Sequence, residues 1–141
     1  MCSSDLDTVV SLDGRILGKP RDREEAARFM RALSGRTHEV RTAVAVGRSR
    51  EDYRALVVLS SVAMRPISEE EIGRYVMTDE PYDKAGGYGI QGLAGLFVRS
   101  VAGSYTGIMG LPVCEAAELL AGYGVPAPAL NQPMPISSTS K

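Results

Sequence analysis

Four carboxylates and two lysines hold most of the chemistry available to this chain. Asp7, Asp79, Glu80 and Asp83 are hard oxygen donors, and Lys19 and Lys84 are cations set among them. Hard oxygens bind Mg2+ or Mn2+, and lysines neutralise phosphate. Metal-assisted hydrolysis of a phosphoanhydride uses that set of groups. Most of them fall within fifteen residues, Thr78 to Gly92, reading TDEPYDKAGGYGIQG. Pro81 removes a backbone donor, and the glycines allow positive φ and close backbone approach. The stretch is therefore neither a regular helix nor a strand. Binding groups are often carried on such loops by a rigid scaffold. The competing reading is a solvated connector rich in turn formers.

Other chemistries find little support. Gly87 to Gly92, GYGIQG, matches G-x-G-x-x-G literally, but a helix and a proline precede it and an apolar stretch follows. A dinucleotide fingerprint needs a strand before it and a helix after it. His38 is the only histidine and has no metal or triad partner at ligand spacing. Cys2 and Cys114 form no framework and read as free thiols in a reducing cytosol. The net charge of −1 lacks the basic excess of a nucleic-acid binder. No apolar run approaches the ~18 residues of a membrane span, and no secretory signal opens the chain. These features point to a cytoplasmic protein without nucleic-acid or membrane partners. With 141 residues and 44% hydrophobic content, one domain with a real core is expected.

The elements that must position these groups are legible in order. Thr8 to Leu12 is a strand, Asp13-Gly14 a hairpin turn, and Arg15 to Leu17 the return strand. A tight hairpin should bring Asp7 and Lys19 side by side. Arg21 to Gly35 is a helix with Asp22 as N-cap, Glu25 completing a capping box, a Glu24–Arg28 pair and Gly35 as the stop. Thr37 to Val46 and Arg54 to Arg65 form an antiparallel strand pair. Ser68 caps a second helix with Glu71 in the capping-box position. After the loop, Leu93 to Val101 reads as a buried strand and Tyr105 to Met109 as its return. Val113 to Ala121 is a third helix, stopped by Gly122, with Cys114 near its buried face. The pattern is α/β or α+β: one mixed twisted sheet with helices packed against it.

Four segments together carry a family resemblance: DTVVSLDGRILGKP, a capped helix ending ALSGRTHEV, DEPYDKAGGYGIQG and GSYTGIMGLP. In order and spacing they resemble the Maf family of nucleoside triphosphate pyrophosphatases, historically named septum-formation inhibitors. The likeness runs from Asp7 to Gly122, and the loop resembles the subfamily that prefers dTTP and UTP. The resemblance implies hydrolysis between the α- and β-phosphates, with a divalent cation, Mg or Mn, as cofactor. It implies Asp7 as catalytic aspartate, either general base or metal ligand, with Asp83 as a metal or water partner. Lys19 and Lys84 would grip the triphosphate. Thr8 and Gln91 would sit by the base, where an amide can both donate and accept. The family also suggests a homodimer.

The resemblance has limits. The family's SxSPRR segment and a downstream acidic residue are not found in this chain, and Leu6 stands where the family has Ala. Residues 1–6 are expected to be a non-native leader, because CSSDL matches a translated sequencing adapter. The natural protein is then expected to be longer at its N-terminus. The domain is expected to span 7–124, and 125–141, rich in proline and serine, to be a disordered tail. Losing one charge-stabilising donor can cost roughly 10²-fold in rate, so weak or absent activity is expected for this chain. Two further readings stand beside the enzyme. One is a nucleotide-binding, cell-division regulatory module without turnover. The other is an inactive fragment with an exposed sheet edge.

Overall fold

A computed structural model describes residues 3–125. Its centre is a five-stranded sheet in the order β2-β1-β3-β4-β5, every neighbouring pair antiparallel. β1 (Ser3–Leu12) and β2 (Arg15–Leu17) meet at Asp13-Gly14. Both turn residues have positive φ, 51° and 79°, which suits a two-residue hairpin to strand twist. β3 (Thr37–Gly47) and β4 (Tyr53–Met64) pair along their whole length, from Thr37 opposite Ala63 to Gly47 opposite Tyr53.

Helices cover one face of the sheet. α1 (Arg23–Leu33) starts at Asp22, whose side chain accepts the Glu25 amide at 2.8 Å. It buries Ala26, Met30 and Leu33 against Val10, Leu12, Val40, Val62 and Met64. Removing a side chain such as Met30 fully from water contributes roughly 1.5–3 kcal/mol. α2 (Glu69–Tyr75) carries the expected reciprocal Ser68–Glu71 capping box. Its Tyr75 packs edge-on against Phe97 with ring centroids 5.6 Å apart. The other sheet face is open: Val57 and Leu59 are 64% and 51% exposed. No helix among the described residues is long and apolar enough to cross a membrane.

Several expectations change. Leu93–Phe97 is a 3-10 helix, and the strand that follows, β5, is only Val98–Ala102. The Glu80 carboxylate takes the Leu93 and Ala94 amides, which are therefore unavailable to a strand ladder. Tyr105 to Met109 does not return as a strand. Tyr105–Ile108 is a short helix, α3, because Ser104 caps it by accepting the Gly107 amide at 3.0 Å. α4 (Val113–Ala121) is where expected, but Cys114 is exposed. Arg28 sits by Glu25, at 3.7 Å, instead of Glu24. β1 runs back to Ser3, so residues 3–6 pair with β3. Residues 1–2, and the proposed tail beyond Val125, lie outside the described residues.

Candidate nucleotide site

The loop after α2 folds as two 3-10 turns, Glu80–Asp83 and Ala85–Gly87, laid against the first hairpin. Gly86 is the point of closest approach: its amide donates to the Gly18 carbonyl at 3.0 Å. Its φ is +77°, and an added Cβ would lie 2.9 Å from Val10 Cγ1. Glu80 ties the loop's far end. It accepts the Tyr75 hydroxyl at 2.6 Å and the Leu93 and Ala94 amides at 2.7 and 3.1 Å. Burial pushes the Glu80 carboxyl upward, but these donors outweigh it and hold the pKa below the usual range.

Between loop and sheet lies a cleft of about 230 Å³, with Thr8 from β1, Lys84, Tyr88 and Gln91 from the loop, and Met109 and Gly110 after α3. Three of the expected site residues, Thr8, Lys84 and Gln91, are thus brought to one cleft. Asp7, Lys19 and Asp83 are outside its lining. Strand alternation is the reason for Asp7. Thr8, Val10 and Leu12 point to the helix-covered face, whereas Asp7 points the other way and is exposed. Asp7 and Lys19 do not form the expected ion pair among the described residues. β2 ends at Leu17, and Gly18 leads Lys19 away toward the loop.

Lys19 instead approaches Asp83. Asp83 accepts from Lys84 Nζ at 3.0 Å, and Lys84 first, with Lys19 contributing, lowers its pKa. A carboxylate paired with one ammonium group and in the field of a second is a poor cation ligand. Among the described residues, no three His, Cys, Asp or Glu side chains cluster as a metal site. Mg2+ commonly takes one or two carboxylates and completes its shell with phosphate oxygens and water. Asp7, exposed and in no ion pair with a described residue, fits that sparse arrangement better than Asp83.

His38 packs in the core, edge-on against Tyr88 with ring centroids 5.4 Å apart. It is 1% exposed, and its Nε2 lies 2.6 Å from the Tyr88 hydroxyl. Burial lowers its pKa to about 4. Tyr88, which lines the cleft, and Thr42, buried behind Thr8, are residues to which the sequence assigned no role. A threonine in register with Val40, Val44 and Val46 on the apolar face of β3 was the available signal for Thr42.

A family model described as Maf-like protein matches residues 5–123. The chain belongs to the Maf-like family. Maf-like relatives named dTTP/UTP pyrophosphatase are similar to it. That of Bordetella parapertussis is 55% identical over 125 residues, covering 86% of this chain and 58% of the relative. That of Dechloromonas aromatica is 54% identical over 119 residues, covering 84% and 58%. That of Escherichia coli K12 is 52% identical over 117 residues, covering 83% and 59%. The chain therefore spans less than two thirds of the length of these Maf-like relatives.

Proposed function

We propose that this domain belongs to a nucleoside triphosphate pyrophosphatase that hydrolyses dTTP and UTP to the monophosphate and pyrophosphate. The observation that carries the reading is the joining of Thr8, Lys84 and Gln91 in one cleft, from two distant segments of the chain. The dTTP/UTP pyrophosphatase activity for which the relatives are named supports it. The base lies toward Thr8 and Gln91, with the phosphates toward Lys84 and Lys19. A water oxygen bonds to the α-phosphorus, the bond to the bridging oxygen breaks, and pyrophosphate leaves. Asp7 lies beyond the last β1–β2 pair, Val10–Leu17, and so stands at the sheet's edge, where it takes the water's proton or holds the cation. A divalent cation, Mg or Mn, would neutralise phosphate charge, with Asp7 as its protein ligand. The lysines bind the triphosphate as fixed charges aimed at oxygens that gain charge during bond breaking. The exposed thiol of Cys114 suits a reducing cytoplasm.

Pyrophosphate release from dTTP and UTP with added Mg2+ or Mn2+ tests the proposal. At most weak release is expected from the wild-type sequence and none from Asp7→Asn, with nucleotide binding largely spared. Binding of dTTP with no release by either form would instead favour a non-catalytic nucleotide-binding module.

A further inference from the structure

Thr42 is fully buried in β3, directly opposite Thr8 on the same sheet face. Its hydroxyl lies 2.6 Å from the Gly107 carbonyl oxygen. A carbonyl only accepts, so the single Thr42 proton is committed there. Thr8 Oγ1 lies 3.3 Å from Thr42 Oγ1. Thr42 has no second proton, so Thr8 must be the donor in that contact. The Thr8 proton is then turned inward, and its remaining lone pairs are what it offers the cleft.

We infer that Thr42 is a positioning residue that makes Thr8 a pure hydrogen-bond acceptor, so that the cleft selects bases bearing a ring N–H. This rests on the nucleotide reading above. Thymine and uracil both carry an imide N3–H, whereas cytosine presents a bare N3 acceptor at that position. Gln91 cannot make the distinction alone. Its amide is exposed and can turn over to present either its oxygen or its NH2 group. While its end is a carbonyl, the hydroxyl chain Thr8 to Thr42 to Gly107 runs one way, and turning the Thr8 proton to the cleft gives up the 3.3 Å contact with Thr42. A site that commits a polar group to one role rejects the mismatched partner, because its group is left unpaired.

The test measures binding of dTTP, dCTP, UTP and N3-methyl-dTTP by calorimetry to the full chain, to Thr42→Val and to Thr42→Ser. Wild type should prefer dTTP over dCTP by at least about tenfold and lose about tenfold for the N3-methyl compound. Thr42→Val frees the Thr8 proton, so the dTTP/dCTP preference should fall about tenfold, while Thr42→Ser keeps it. Equal weakening of all nucleotides in Thr42→Val would mean a merely structural role and overturn the inference. A change confined to the UTP/dTTP ratio would assign the acceptor to the sugar hydroxyl and also overturn it. Equal wild-type affinity for dTTP and its N3-methyl form overturns it without any variant. Wild type binding none of the four would bring down the nucleotide reading and this inference with it.

Discussion

Tyr75 donates a 2.6 Å hydrogen bond to Glu80, and that bond fastens the end of α2 to the loop that carries Lys84 and Gln91. Burial first, then Glu80 itself, raises the Tyr75 pKa, so the phenol keeps its proton at ordinary pH. Because Glu80 also accepts the Gly89 amide before Gln91 and the Leu93 and Ala94 amides after it, one carboxylate holds both ends of the Gln91 segment.

Glu80→Gln places an amide NH2 among four donors. Loss of roughly 1–2 kcal/mol is expected, at the low end of charged hydrogen bonds because the site is only half-buried. Tyr75→Phe should cost about 1 kcal/mol. Urea denaturation would read both, and Glu80→Gln should also weaken nucleotide binding by displacing Gln91. The lowered Glu80 pKa has a sign consequence. Its stabilisation is complete above the ordinary 4.5 and is lost as pH falls through the folded value.

His38 titrates in the opposite sense to a salt-bridged histidine. Burial lowers its pKa from 6.5 to about 4, so the unfolded chain binds the extra proton first. Stability should be full above pH 6.5 and fall by on the order of 2–3 kcal/mol as pH drops toward 4. Thermal melts across that range should show the slope in wild type and a flatter one in His38→Gln. Equal slopes would remove His38 from the account.

Gly86→Ala combines a φ of +77° with a methyl 2.9 Å from Val10 Cγ1. A cost of roughly 1–3 kcal/mol is expected. Because Gly86 pins the loop to the hairpin through the Gly18 carbonyl, hydrogen exchange should speed up at that amide before the β3–β4 ladder is affected.

Lys84→Ala and Asp7→Asn should separate binding from turnover. The first removes a cation from the cleft, where the proposed function puts phosphate, and should raise KM for dTTP by about tenfold or more. The second should lower kcat by roughly 10²-fold or more with little change in affinity. Steady-state kinetics on both variants decides whether the roles are assigned correctly, and a kcat for Asp7→Asn equal to wild type would remove Asp7 from the chemistry.

The β1–β2 and β3–β4 hairpins and helices α1, α2 and α4 were readable because their signals are local. Asp13-Gly14, Asp22 with Glu25, and Ser68 with Glu71 act within a few residues of themselves. Leu93–Phe97 was misread as strand because its amides are claimed by Glu80, a residue outside the segment. Tyr105–Ile108 was misread although its cap, Ser104, is adjacent; β-branched and aromatic content hid a one-turn helix.

By itself the sequence determined the inventory of reactive groups, the caps and turns that start and stop most elements, and the motif order that places the chain among Maf-like proteins. Tertiary structure decided which of those groups share a space. Thr8 and Asp7 are neighbours in the chain, yet the two-residue period of a strand sends them to opposite faces, and only Thr8 lines the cleft. Thr42 and Gly107 had no sequence signal for each other. Folding brought a buried hydroxyl to a carbonyl, which can only accept, and that set the direction of the bond.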